Sequence, residues 1–316
     1  MEITKRPLGR TGLTISNIVF GTSSLGSMPQ VYGHEVDAEA ARQTVRAIFD
    51  GPANVIDTSR LYGNGRSEER IGDVIRERGG LPEGFILATK LDRDPDTGRF
   101  DGAAARRSLE ESLKTLGVER FHILHLHDPE FIKTQGDFVG PNSSTAELMK
   151  MKDEGFADAV GLAAGDVDVM MPLLRDWDFD ALLTHNRYTL LNRNAEEMID
   201  FAISRGMAVF NAAPYGGGMM AKGSDAVQRY AYREAPKATM DAVRQIEAIC
   251  AKHGVPVGAA ALQFSMREPR INATVVGVSK PERVAQTIAL ATHPIPEAVW
   301  EELKAVPFSR KNPQAA

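Results

Sequence analysis

The sequence predicts a (β/α)8 TIM barrel with an N-terminal β-hairpin, on three observations. Short, apolar, β-rich runs recur eight times along the chain. They are continuously apolar rather than alternating, as strands covered on both faces are. Stretches of helical periodicity separate them, which implies parallel strands joined by helices, and eight such units in roughly 250 residues close into a barrel. The pattern reads as one domain over residues 1–316.

The hairpin comes first. Residues 3–8 and 13–15 flank Gly9-Arg10-Thr11-Gly12, a turn-forming tetrad, and their place ahead of the first barrel strand suits them to plug the barrel's bottom. The eight strands follow at residues 18–20, 54–57, 85–89, Phe121–His127, 159–162, 181–186, Ala208–Ala212 and 274–277. Between the second and third, Ser67 reads as a helix N-cap, Glu68 and Glu69 as first-turn acids favoured by the helix dipole, and Ile71, Val74 and Ile75 as the buried stripe. Before the fourth, Leu109, Leu113 and Leu116 share a helix face that Gly117 terminates. Segments 21–36, 128–144 and 216–236 lack this regularity. Each follows a strand, on the face where barrel enzymes build their sites, and the first two are assigned to substrate contact.

Composition narrows the function classes. With 43% hydrophobic and 25% charged residues the chain can bury a sizeable core. The formal charge of -5 comes from 42 acids against 37 bases dispersed along the sequence, without the basic stripe that a nucleic-acid partner requires. Cys250 is the single cysteine; it sits in a helical run at 242–252 and reads as a small buried side chain. No apolar run approaches the about 18 residues of a membrane span, and no signal-peptide pattern opens the chain. The expected setting is reducing and cytoplasmic, with no membrane partner.

Four polar side chains stand at or just beyond strand ends: Asp57, Tyr62, Lys90 and His127. In a barrel these ends converge. A lysine at a buried strand end needs an acidic partner, which Asp57 supplies from the adjoining strand. A tyrosine beside that ammonium is expected to gain acidity, because positive charge favours phenolate, and such a phenol can donate or accept a proton. Each residue alone has an ordinary reading: a turn cap for Asp57, a half-buried loop aromatic for Tyr62, a snorkelling chain for Lys90. His125 lies two residues before His127 on the same strand face, a spacing open to a metal. No third and fourth ligand is evident, and none is expected to bind.

The run Asp57-Thr58-Ser59-Arg60-Leu61-Tyr62-Gly63, continuing through Ser67-Glu68 to Ile71-Gly72, resembles the aldo-keto reductase signature with its spacing unbroken. Ala88-Thr89-Lys90 resembles that family's lysine strand, Leu126-His127-Asp128-Pro129 its histidine strand, and residues 277–287 its adenosine-binding segment. The resemblance implies that Tyr62 is the acid/base, Lys90 tunes it, Asp57 holds Lys90, and His127 orients the substrate oxygen while hydride passes to or from nicotinamide.

No Gly-x-Gly-x-x-Gly opens a helix after the first strand, so a Rossmann fold is disfavoured. The resemblance places the dinucleotide across the barrel top, in contact with Gly21 and Thr22, with its adenosine end at Gly277, Ser279, Lys280, Arg283, Gln286 and Thr287, and its pyrophosphate near Pro214, Tyr215 and Gly216. Lys280 and Arg283 can pair with a 2′-phosphate, and no acid is placed for a free 2′-hydroxyl, which favours NADP over NAD. Three positions depart from the family pattern: Ala163-Ala164 replaces Ser-Asn, His185 replaces Gln, and Ala212 replaces a stacking tyrosine. His185 and Asn186 remain candidates for the nicotinamide amide.

After His127 the chain reads Asp-Pro-Glu where reductases of apolar carbonyls place Trp-Pro, giving an acidic site edge suited to hydroxyls. With Leu-Gly-Arg-Thr-Gly-Leu at the start, this resembles the aldose 1-dehydrogenase branch, which implies oxidation of a sugar at C1 to a lactone. Met28, Tyr32 and Asp128 are the pocket candidates. Two alternatives stay open: a general NADPH-dependent aldehyde or ketone reductase, and a nucleotide-binding regulatory subunit with little turnover. A metal-dependent hydrolase built on His125 and His127 ranks below both. Oligomeric state is not legible.

Overall fold

The structure, a computed structural model, describes residues 2–132 and 136–314. Residues 133–135, within the aperiodic 128–144 segment, lie outside the described residues. Strands β1 (Lys5–Pro7) and β2 (Thr14–Ser16) pair antiparallel as the expected hairpin. Then come β3 (Ile18–Gly21), β4 (Val55–Asp57), β5 (Ile86–Leu91), β6 (Phe121–His127), β7 (Ala157–Ala164), β8 (Ala181–His185) and β9 (Ala208–Ala212). After a second small hairpin, β10 (Arg229–Tyr230) with β11 (Arg233–Glu234), strand β12 (Ala273–Gly277) closes a parallel barrel by pairing with both β9 and β3.

Among the described residues thirteen α-helices accompany the strands: α1 (Pro29–Tyr32), α2 (Ala38–Phe49), α3 (Arg66–Arg78), α4 (Gly102–Leu116), α5 (Gly136–Val139), α6 (Ser144–Asp153), α7 (Val167–Asp176), α8 (Glu196–Ser204), α9 (Met219–Lys222), α10 (Lys237–Lys252), α11 (Val257–Met266), α12 (Pro281–Thr292) and α13 (Glu297–Lys304). None among the described residues is long and apolar enough to cross a membrane. Cys250 is buried in α10.

Strand alternation sorts the apolar residues into two layers. On β3, Ile18 and Phe20 pack with Val45, Ile48 and Ile71 of the surrounding helices, whereas Val19 joins Val55, Ile86, Ile123, Phe210 and Val275 inside the barrel. Leu8 and Ile15 of the hairpin belong to that interior set, so the hairpin does fill the barrel's N-terminal end. Gly9 touches the backbone ahead of β9 so closely that a Cβ there would lie 2.8 Å from the Gly206 carbonyl oxygen.

Asn54 locks the plug. Its Oδ1 accepts from the Ser16 amide at 2.7 Å, and its Nδ2 donates to the carbonyls of Thr14 and Gly84 at 3.0 and 3.1 Å. One side chain thus satisfies the hairpin and the approach to β5, where buried backbone groups have no water to turn to.

At α3 the structure corrects the sequence reading. The residue before the helix is Gly65, in the left-handed region at φ 89°, and Ser67 lies inside the first turn. Its hydroxyl is drawn instead to the carbonyl and hydroxyl of Thr22, both at 3.0 Å. Glu68 is not a solvated dipole partner either, being fully buried. The aperiodic segments carry short structure of their own: α1 in 21–36, α5 in 128–144, and α9 with the β10–β11 hairpin in 216–236.

Replacing Asn54 with Ala strands the Ser16 amide and the Thr14 carbonyl, and is expected to lower unfolding free energy by about 2–4 kcal/mol; urea unfolding followed by circular dichroism measures it.

Candidate active site

The ends of β4, β5 and β6 meet at one mouth of the barrel. Asp57 ends β4, and register puts it against Ala88, two residues before Lys90. Lys90, only 1% exposed, donates to Asp57 Oδ1 at 2.7 Å and to the Thr58 carbonyl at 2.6 Å. The pairing anticipated from sequence is therefore formed, and the ammonium has a full charge partner where an isolated one would be costly.

Tyr62 sits on the loop after β4. The Lys90 Nζ lies 4.8 Å from its ring centroid, and the His127 ring stands edge-on to it at 5.7 Å. Among the described residues no hydrogen bond engages the phenol oxygen. The predicted gain in acidity does not occur: burial, followed by the charge of Asp57, pushes the phenol well above its ordinary value. Lys90 donates to Asp57 and Thr58, so the acid that stabilises the lysine also opposes phenolate.

His127 is held by a residue that sequence reading missed. Asp92 lies 2.5 Å from His127 Nδ1 and accepts from Ser59 Oγ at 2.7 Å and the Leu61 amide at 3.0 Å. An ionised carboxylate only accepts, so the Nδ1 proton faces Asp92 and Nε2 is left toward the mouth. Asp128 Oδ2 stands 3.7 Å from that Nε2. Burial disfavours the imidazolium, but the charges of Asp128 and Asp92 outweigh it and raise the His127 pKa. In the reverse sense, Asp92 overcomes its own burial through His127 and falls below the usual carboxylate range. The available signal was spacing, since Asp92 follows Lys90 by two residues just as Ser59 follows Asp57.

The tyrosine loop is fixed by backbone as well. Gly26 and Gly63 approach so closely that a Cβ on Gly63 would lie 1.9 Å from the Gly26 carbonyl oxygen, and Gly63 has φ +67°. Both positions require glycine.

His125 and His127 do not converge on a metal. His127 Nδ1 is taken by Asp92, and His125 Nδ1 is buried without a partner, its ring edge-on to Phe210 at 6.0 Å. Burial, then the charge of Lys90, pushes His125 well below its ordinary value, so the ring is neutral. Among the described residues the side chains that approach ligand geometry are instead Asp128, Glu130 and His185, with one donor atom of each within 4.8 Å of the others.

The remaining predicted contacts fall into three groups. Met28 and Tyr32 lie on the β3–α2 segment, with the Tyr32 hydroxyl donating to Ser23 Oγ at 2.6 Å. Gly21 pairs with both Asp57 and Gly277, bringing the start of α12 beside the site. Thr22 is fully buried and its hydroxyl donates to the Asp57 carbonyl, so that side chain ties β3 to β4 rather than facing the mouth. At α12, Lys280 and Arg283 are exposed and, among the described residues, have no ion-pair partner, while the helix start has no side-chain cap. The N-terminal end of the α12 dipole and the two cations together fit a phosphate. Ser279 is part-exposed there, Gln286 faces solvent and Thr287 packs inward. Tyr215, whose buried hydroxyl lacks a partner, lies within the field of Arg283; Pro214 and Gly216 are buried, Gly216 because a Cβ would meet the Tyr230 ring at 2.5 Å.

His185 ends β8, its Nδ1 3.1 Å from Asn186 Nδ2, and burial pushes it down to about 4 despite Asp128. Asn186 is fully buried at φ 59° with Oδ1 unpartnered. Ala163, Ala164 and Ala212 offer no polar atom at the neighbouring strand ends, so acceptors near β7 and β8 come from Glu130, His185 and Asn186.

A parallel barrel whose mouth gathers a charge-paired lysine, a phenol and an imidazole, beside a phosphate-ready helix start, has the parts of a nicotinamide-dependent oxidoreductase. Residues 17–307 match the Aldo/keto reductase family, and the chain belongs to it. It is similar to pyridoxal 4-dehydrogenase of Microbacterium luteolum (28% identical; 95% of this chain and 96% of that one). D-threo-aldose 1-dehydrogenase of a Pseudomonas species is 28% identical over 96% and 97% of the two chains, and L-galactose dehydrogenase of Arabidopsis thaliana 30% over 92% and 89%. In fold it resembles the holo form of an aldo-keto reductase from Bacillus halodurans, with a TM-score of 0.76 at 20% identity and 96% coverage of each chain.

Behind Lys90, Thr89 turns outward and donates to Glu68 Oε1 at 2.6 Å, while Ser112 donates to Oε2 at 3.0 Å. Burial outweighs these bonds and pushes Glu68 from an ordinary 4.5 up to about 7. The folded state therefore binds this proton over a pH range where the unfolded state has lost it, and stability from this group falls as pH rises from 4.5 to about 7. Glu68→Gln is expected to remove about 3 kcal/mol of that decline, read as a flatter pH dependence of urea unfolding between pH 5 and 8.

Proposed function

We propose that the protein is an NAD(P)-dependent aldose 1-dehydrogenase that oxidises a cyclic sugar at C1 to a lactone. The observation that carries this reading is the acidic edge beside His127: Asp128 and Glu130 offer hydroxyl acceptors where an apolar carbonyl compound has none to use. The sugar-oxidising names of two similar proteins support it. Lys280 and Arg283, unpaired at the α12 start among the described residues, favour NADP over NAD.

In this reading the substrate's anomeric oxygen lies between Tyr62 and His127. Tyr62 as phenolate takes the hydroxyl proton, the Lys90 ammonium, held by Asp57, stands beside the phenol ring, and His127 donates from Nε2 to the same oxygen when protonated. Nicotinamide, when bound, supplies the acceptor for the C1 hydride. As the O–H and C1–H bonds break, the C1 carbonyl of the lactone forms. Aldehyde reduction uses the same residues in reverse, with Tyr62 as the acid.

Because burial raises the Tyr62 pKa, the phenolate fraction near neutrality is small and grows tenfold per pH unit below that pKa. Oxidation is therefore expected to climb with pH into the alkaline range. Purified protein mixed with NADP or NAD and L-fucose, D-arabinose or L-galactose should show growing absorbance of the reduced cofactor; silence with every aldose sinks the reading. Tyr62→Phe is expected to lower kcat by about 10²–10⁴ with dinucleotide affinity retained, as cofactor-fluorescence titration checks.

A further inference from the structure

The last described residues of the chain are folded back onto the ends of β7 and β8, where one buried cation depends on them. Arg187, just past β8, is 1% exposed. Its Nη1 donates to the His185 carbonyl at 3.1 Å, and its Nη2 to Asn312 Oδ1 and Gln314 Oε1 at 2.8 and 2.9 Å. Among the described residues Arg187 has no ion pair, so a buried guanidinium is satisfied by neutral oxygens, two of the three supplied by the C-terminal segment. The fit is close. A Cβ on Gly165 would lie 2.5 Å from Nη1 and 2.9 Å from His185 Nε2. Gly165 is itself fixed, because Glu130 Oε1 accepts from its amide and that of Asp166 at 2.8 and 3.2 Å, and Asn312 Nδ2 reaches Asp166 Oδ2 at 3.3 Å.

What the guanidinium wedges in place is the backbone at His185 and Asn186. Asn186 has φ 59°, a conformation that a residue other than glycine keeps where its surroundings over-determine it. Its amide donates to the Ala212 carbonyl at 3.2 Å, its carbonyl accepts from the Tyr230 hydroxyl at 2.7 Å, and Arg187 holds the carbonyl just before it. The Asn186 side chain meets His185 Nδ1 and Tyr232, with Oδ1 buried and unpartnered, an acceptor that suits the N–H of a nicotinamide carboxamide. Without Asn312 and Gln314, Arg187 loses two of its three acceptors and turns toward water, and the His185 carbonyl loses its donor with it.

We propose that Asn312 and Gln314 are positioning residues for the dinucleotide: by clasping Arg187 they hold the β8 end at His185 and Asn186, and so set the affinity for the nicotinamide half of the cofactor. The inference rests on the assignment of His185 and Asn186 to the nicotinamide amide, and adds to it a clasp supplied from the far end of the chain. Removing both oxygens with Asn312→Ala/Gln314→Ala tests it on half-exposed residues. Asn312→Ala/Gln314→Glu returns one acceptor to Arg187.

The experiment is calorimetric titration of the full chain with NADPH and with 2′-phospho-ADP-ribose, which lacks only the nicotinamide, or with NADH and ADP-ribose if NADH binds more tightly. In the double alanine variant the dinucleotide Kd should rise about tenfold while the ADP-ribose Kd stays as in wild type, and Gln314→Glu in place of Gln314→Ala should recover most of the loss. Unchanged dinucleotide affinity overturns the proposal. So does equal weakening of both ligands, which makes the segment merely structural, and so does a loss that the glutamate variant does not recover. If the double variant does not fold, Gln314→Ala alone gives the same readout. Asn186→Ala tests the underlying assignment separately. A selective loss there, with none in the C-terminal variant, overturns the clasp and leaves the assignment standing; a selective loss in the C-terminal variant alone supports the clasp on the β8 end and sinks the assignment of Asn186.

Discussion

Everything at the mouth of this barrel depends on the buried contact between Lys90 and Asp57. An ammonium that is 1% exposed persists only if its charge is matched, and the match comes from the neighbouring strand at 2.7 Å. The contact also explains the behaviour of Tyr62. A free ammonium would draw the phenol toward ionisation; one neutralised by Asp57 leaves burial to dominate and keeps the phenol protonated. Stabilising the lysine and acidifying the tyrosine are thus opposed demands, and the resting site meets the first.

A second pair, Asp92 with His127, mirrors the first one strand further round. The two pairs grip the loop between them from both sides: Lys90 holds the Thr58 carbonyl, and Asp92 holds Ser59 Oγ and the Leu61 amide. The close backbone approach of Gly26 and Gly63 takes up what freedom remains. Tyr62 is therefore placed by its neighbours' bonds, while its own oxygen stays available.

Sequence reading recovered what periodicity and paired charge control. The eight barrel strands appear at the short apolar, β-rich runs between helical stretches, and the Asp57–Lys90 pair follows from the cost of a lone buried ammonium. What it missed depends on side chains whose partners lie far along the chain. Ser67 has an N-cap's identity, but Thr22, 45 residues earlier, draws its hydroxyl inward. Glu68 has the position of a dipole partner, yet α4 and β5 cover it. Asp92 looks like any acid after a strand until His127 arrives 35 residues later. Glu130 is legible as acidic but not as a cap on α7, since nothing local links it to Gly165. The acidity expected of Tyr62 failed because charge was weighed and desolvation was not.

The clasp on Arg187 has an implication for how this molecule comes into being. Residues 309–314 lie across the β7 and β8 ends, with Asn192 and Asn194 bonding the carbonyls of Lys311 and Arg310, and Asn312 reaching Asp166. Arg187 thus waits for oxygens more than a hundred positions downstream. A nascent chain can build most of its barrel, and even its lysine pair, while this guanidinium is still bare beneath the surface it is meant to support. That wall closes only once residues 309–314 have been made and have docked, so until then the chain stays unfinished at the face where its ligands must enter.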